Sequence, residues 1–145
     1  MLKVKIRKTV ESAKLPQKMT PNSSGYDIFA NVMDEVTIPP QEAALVSAGF
    51  SLEIPPGYEA QIRPRSGLAL KNKISILNSP GTIDSDFRGD VQIILFNFGE
   101  KEFLVTPYMR IAQMVFTKAE EAVFEEQDQL NQSKRNAGGF GHTGL

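Results

Sequence analysis

Two alternating runs on either side of Pro55-Pro56-Gly57 constrain this chain most. Phe50, Leu52 and Ile54 alternate with Ser51 and Glu53; beyond the turn residues, Tyr58, Ala60 and Ile62 alternate with Glu59, Gln61 and Arg63. A period of two puts one face of each run on a core, and a Pro/Gly turn between them predicts a β-hairpin. Leu2, Val4 and Ile6 alternate with Lys3, Lys5 and Arg7 in the same way and predict a half-buried strand. Residues 26–30, 36–38, 74–76, 103–105 and 111–116 are further short runs, and 91–98 is so apolar that both of its faces should be buried. Residues 66–72 have the composition of a helix, of about two turns. Residues 118–129 are acidic enough for a helix, while Val123-Phe124 suits a strand, so both readings stand. Many short strands punctuated by Pro and Gly, with little helix, predict an all-β sandwich or barrel. A chain of 145 residues without an internal repeat or linker predicts a single domain.

Composition removes several chemistries. There is no Cys, so thiolate nucleophiles, disulfides and Cys-bound zinc are excluded. The single His, His142, cannot supply a multi-His metal site, and a Ser-His-Asp triad within one chain is not expected. Hydrolysis would need a carboxylate base, and a metal would need oxygen ligands. The net charge of −1 offers no field for duplex nucleic acid, although Arg and Lys gather between positions 63 and 135, which suits a small anion. With no signal-peptide core and no apolar run of transmembrane length, a soluble, cytoplasmic protein without a membrane partner is expected.

Five segments carry groups that do chemistry. Gly81-Thr82-Ile83-Asp84-Ser85-Asp86-Phe87-Arg88-Gly89-Asp90 follows the turn signal Asn78-Ser79-Pro80 and precedes the apolar run, and reads as a hairpin with a charged tip. In an extended tip, Asp84, Asp86 and Arg88 would share a face; the alternative is that the acids cap a turn. Arg63-Pro64-Arg65-Ser66-Gly67 opens the helix, either as an anion site or as a Ser cap beside solvated charges. Gln113 in Arg110-Ile111-Ala112-Gln113 either faces inward and needs a hydrogen-bond partner or faces solvent. Asp27 in Ser24-Gly25-Tyr26-Asp27 is either a metal carboxylate or a structural strand-edge acid. The stretch from Arg135 to Gly144 combines glycines, Arg135 and Phe140, which suits phosphate wrapping and base stacking by a lid, against the alternative of a disordered tail.

Taken together, these segments resemble the five ordered motifs of the trimeric dUTPases, the dUTP pyrophosphatases, from position 24 to the C-terminus. The resemblance implies a single-domain β jelly roll or distorted barrel over residues 1–130 with one short helix. Residues 131–145 would form a flexible, Gly-rich arm that closes over the active site. It implies a homotrimer with active sites at subunit interfaces, dUTP as substrate, and Mg²⁺ on the triphosphate. The implied reaction yields dUMP and pyrophosphate, keeping uracil out of DNA and supplying dUMP for thymidylate synthesis. By the match, Asp84 activates the water that attacks the α-phosphorus. Asn78, Gly81, Thr82 and Ile83 present a uracil-recognising edge, and Phe87 packs on deoxyribose and leaves no room for a 2′-hydroxyl. Arg65, Ser66, Gly67 and Gln113 match phosphate contacts, and Asp27 reaches Mg²⁺ through water. Arg135, Phe140, Gly141, His142 and Thr143 match the arm, with Phe140 over uracil.

Three departures from the family pattern stand out. Phe87 stands where Tyr is usual, His142 where Ser is common, and Asn136-Ala137 replaces a pair richer in Gly and acid. Two rivals share the scaffold. A dCTP deaminase would carry a Glu in the strand after the tip, and residues 91–97 contain none. Loss of Asp84, Arg65 or Gln113 would point to a non-enzymatic regulator, and all three are present. A regulatory protein partner in addition to catalysis is compatible with the sequence and unidentified by it.

Overall fold

The computed structural model describes residues 1–140. Its strands in chain order are β1 (Lys5–Lys8), β2 (Tyr26–Phe29), β3 (Val36–Ile38), β4 (Ala43–Ser47), β5 (Phe50–Glu53) and β6 (Tyr58–Arg63). One helix, α1 (Ser66–Asn72), is followed by β7 (Ile74–Ile76), β8 (Gly81–Ile83), β9 (Gln92–Asn97), β10 (Phe103–Val105) and β11 (Arg110–Lys118). The architecture is all-β, as the punctuation of short runs predicts. The strands form a four-stranded sheet β2-β11-β6-β8, a three-stranded sheet β4-β9-β7, and the pairs β1-β5 and β10-β3. The sheets bury one core, with Ile28, Val46, Phe50, Ile93, Leu95 and Met114 among its fully enclosed side chains. Burying each such residue stabilises the fold by about 1.5–3 kcal/mol.

Both hairpins expected from sequence are absent. β5 pairs antiparallel with β1, while β6 pairs with β11 and β8. Pro55 and Pro56 have no N–H to give a ladder, and Gly57 turns the chain at φ 79°, so the segment hands the chain from one sheet to another. Likewise β8 pairs with β6, and β9 lies between β4 and β7. The period of two is local, whereas the choice of partner depends on which edges the rest of the core leaves open.

Other elements depart from expectation in smaller ways. β1 starts at Lys5 and all its residues are exposed, because it is an edge strand; Val4, just before it, packs on the core. β4 was not foreseen. In β9, Ile93, Leu95 and Asn97 are buried while Gln92 is exposed and Ile94 and Phe96 are half-buried, so within one chain only one face is fully covered. Asn97 earns its interior place through Nδ2 donations to the carbonyls of Ile38 (2.9 Å) and Lys101 (2.8 Å). Residues 119–130 are neither helix nor strand and are exposed throughout. The helix is present as expected, but Ser66 does not cap it. The cap position is Arg65, with no side-chain cap bond, and the helix closes on Lys73 at φ 59°, whose N–H reaches Ala69 O.

Candidate active site

β8 ends at Ile83 and delivers Asp84 to the surface. The tip beyond it is a turn: the Phe87 N–H donates to Asp84 O at 3.2 Å. Asp84, Asp86 and Arg88 therefore do not line up as they would in an extended chain. Arg88 Nη1 is committed to the carbonyls of Ser85 (2.6 Å) and Phe87 (3.1 Å), so it stiffens the tip. The Phe87 ring lies on Gly89, where a Cβ would fall 2.5 Å from Cζ, so a side chain there would push the ring from this position. Asp84, Phe87 and Thr82 border a surface cavity of about 430 Å³ together with Ile83, Asp90, Val91 and Gln92. On the other side of β8, the Asn78 amide lies beside Gly81, with Nδ2 3.4 Å from where a Cβ would stand.

A second cluster forms where β2, β11 and the start of α1 meet. Arg110 Nη1 donates to Asp27 Oδ2 at 3.1 Å, and Arg65 Nε stands 3.6 Å from the same oxygen. Arg65 Nη1 donates to Arg110 O at 2.7 Å. Gln113 Nε2 donates to Pro64 O at 2.9 Å, so the amide is half-buried with a partner, as the inward-facing reading requires. Gly25 makes room for it: a Cβ there would sit 2.3 Å from Gln113 Oε1. Ser66 and Gly67 are exposed at the entry to α1 beside these cations. Two guanidinium groups around one carboxylate leave the cluster with an excess of positive charge, suited to a phosphate chain.

The dUTPase family profile matches residues 11–144. The chain belongs to the dUTPase family. A deoxyuridine 5′-triphosphate nucleotidohydrolase of Chlamydia pneumoniae is 50% identical over 132 residues, covering 90% of this chain and 91% of that protein. One of Orientia tsutsugamushi (strain Boryong) is 48% identical over 147 residues, covering 99% of each. Among solved structures, a Staphylococcus bacteriophage 80alpha dUTPase variant with dUpNHpp superposes with a TM-score of 0.90 at 22% identity, over 99% of both chains. A dUTPase variant from phage phi11 of S. aureus, described with a structural Mg(II) ion, superposes at 0.80 and 20% identity, over 90% of this chain and 99% of that one. These likenesses establish the jelly-roll type of fold.

Within the dUTPase frame, the chain places its motif residues in two groups. Ile83 pairs with Ala60 and Gln113 with Arg63, on opposite sides of β6. With strands about 4.8 Å apart and about 3.3 Å per residue, the two positions are on the order of 14 Å apart. One chain thus sets Ile83, the strand end that leads to Asp84, well apart from Gln113. Phe140 is fully exposed, and Arg135 Nε donates to Gly138 O at 2.8 Å. Gly141, His142 and Thr143 lie outside the described residues. Two residues were missed by sequence reasoning. Arg110 was seen only as a motif member, yet it holds Asp27. Asp90 was seen only as the end of the tip, yet it receives the hydroxyls of Thr9 and Ser47. Nothing local marks either one, because their partners are distant in sequence.

Proposed function

We propose that this protein hydrolyses dUTP to dUMP and pyrophosphate, with Asp84 as the base that orients and activates the attacking water. The observation that carries the reading is the placement of Asp84: in a chain of the dUTPase family, it is an exposed carboxylate at the end of a paired strand, beside the Phe87 ring at a surface cavity. Water attacks the α-phosphorus, the bond from that phosphorus to the bridging oxygen breaks, pyrophosphate leaves, and Asp84 takes the proton. A positioned carboxylate base is worth about 10²–10⁴ in rate.

Selection would lie around the cavity. The backbone of residues 78–84, including Gly81, Thr82 and Ile83, and the Asn78 amide read the uracil edge. Phe87 packs on the deoxyribose and excludes a 2′-hydroxyl. Arg65, Gln113, Ser66 and Gly67 bind phosphates, each charge-assisted hydrogen bond contributing about 1.5–3 kcal/mol. Residues 131–145 close as an arm, with Arg135, Gly141, His142 and Thr143 toward phosphates and Phe140 stacked on the base, worth about 1–3 kcal/mol.

The residues present fit a magnesium ion that arrives on the triphosphate. Among the described residues of one chain no three His, Cys, Asp or Glu side chains converge, a donor set that suits an ion carried mainly on phosphate and water, the coordination Mg²⁺ favours. Asp27, whose Oδ2 faces the arginines, would hold it through water. When bound, the ion neutralises phosphate charge that develops on the leaving group.

A homotrimer accounts for the separated groups, since Asp84 of one copy can meet the Arg65 and Gln113 of another. Apolar surface supports the same assembly. Leu45 in β4 is 63% exposed, Phe98 just beyond β9 is 55% exposed, and Val123 and Phe124 are 92% and 95% exposed in residues 119–130. A single chain leaves these large apolar side chains uncovered, and a partner copy is a means of covering them.

The test is pyrophosphate release from dUTP, dCTP, dTTP and UTP in parallel, with Mg²⁺ and then with chelator. Release from dUTP alone, lost on chelation, supports the reading. Ammonia release from dCTP would replace it with deamination, and inertness toward all four would replace it with a binding role.

A further inference from the structure

The tip that carries Asp84 and Phe87 hangs between two anchors. At its start, Ile83 is buried and in register with Ala60 on β6. At its end stands Asp90. Its Oδ1 accepts from Thr9 Oγ1 at 2.8 Å, and its Oδ2 accepts from Ser47 Oγ at 2.6 Å. Ser47 Oγ also accepts the Gly49 N–H at 2.9 Å, and the Thr9 N–H donates to Gly49 O at 2.9 Å. The next residue, Val91, is buried and bonds through its N–H to Phe50 O and through its carbonyl to the Ala48 N–H, each at 2.8 Å. One carboxylate therefore ties the end of β1, the β4–β5 turn and the foot of the tip together. Among the described residues, the hydrogen bonds of residues 84–89 are internal: the Phe87 N–H donates to Asp84 O, and Arg88 Nη1 donates to the carbonyls of Ser85 and Phe87. The tip is a stiff unit whose aim depends on its feet.

We propose that Asp90 is a positioning residue that sets the aim of this tip, and with it both turnover and the preference for a 2′-deoxy sugar. Asp90 borders the same cavity as Asp84 and Phe87, so a small rotation at its foot moves the acid and the ring together. Geometry at this scale matters, because misplacing a reacting group by about 1 Å can cost on the order of 10²-fold in rate. An aspartate suits the place because its two oxygens accept two hydroxyls at once; asparagine keeps one acceptor oxygen and puts an NH₂ donor where the other stood, facing a hydroxyl that already donates. The inference rests on the proposed dUTP hydrolysis.

The experiment compares the full-length wild-type protein with D90A, D90N, T9V, T9S, S47A and the T9V/S47A double variant. It measures kcat and KM for dUTP, kcat/KM for UTP, and Tm. D90A is expected to lower kcat roughly 10–100-fold with KM changed less than about threefold, and to lower the dUTP-over-UTP ratio at least about tenfold. The double variant should reproduce D90A, D90N should fall between, and T9S should keep the wild-type ratio. If D90A does not fold, T9V and S47A carry the test, each lowering the ratio. A D90A protein with lower Tm but unchanged kcat and ratio overturns this inference alone. A wild-type protein inert toward dUTP overturns the proposed function, and this inference with it.

Discussion

Arg110 grips Asp27 across the β2–β11 pair, Nη1 to Oδ2 at 3.1 Å, just where the register shifts between Arg110 and Ala112. An irregularity of this kind re-aims a side chain. It lets a strand-end Arg hold the acid while its own carbonyl accepts from Arg65. Asp27→Asn removes the charge between two guanidinium groups. Arg110 is 41% exposed, so solvent screens part of the loss. The expected cost is about 1–2 kcal/mol in stability, with KM for dUTP raised several-fold. Thermal unfolding and initial-rate kinetics check both, and an unchanged KM would separate Asp27 from the phosphate site.

Asp84→Asn keeps the shape of the tip and removes the base. Binding of a non-hydrolysable dUTP analogue should be retained while kcat falls by about 10²–10⁴. Calorimetric titration beside a pyrophosphate assay measures the two separately. Near-normal turnover would remove Asp84 as the base.

Gly25→Ala pushes a Cβ to 2.3 Å from Gln113 Oε1. The amide must swing away from its bond to Pro64 O, a change at the flexible end of a side chain. Steady-state kinetics should show KM for dUTP rising about tenfold, and thermal unfolding should show the loss of about 0.5–1.5 kcal/mol from the broken bond to Pro64 O.

Removing residues 135–145 should leave a folded protein of the same oligomeric state, since residues 135–137 are exposed and carry no core side chain. Activity should drop about 10–100-fold, in line with the loss of one stacking contact and a closing lid. Size-exclusion chromatography and turnover decide this, and full activity would refute the lid.

Phe140→Trp places the only Trp of the chain on that arm. Its emission should shift when a non-hydrolysable dUTP analogue binds, and should not respond to inorganic pyrophosphate alone. A silent emission would count against stacking at position 140.

The sequence by itself determined the fold class and the identity of the chemical groups. Alternation at 50–54 and 58–63 marked strands, Pro55-Pro56-Gly57 marked the break between them, and residues 66–72 marked the helix, because period, propensity and turn chemistry act over a few residues. The order of the five segments around Asp27, Arg65, Asp84, Gln113 and Phe140 was likewise legible, since a linear motif survives without coordinates. Tertiary structure alone decided the partners. β5 joins β1 and not β6, β8 joins β6 and not β9, and residues 119–130 take no regular form at all. A strand's own pattern says which face is apolar but not which edge will accept its N–H groups; that choice minimises exposed backbone over the whole core. The same holds for the side chains behind the site. Arg110 on Asp27, and Thr9 and Ser47 on Asp90, are contacts across 83, 81 and 43 positions of chain, visible only once the sheets have packed.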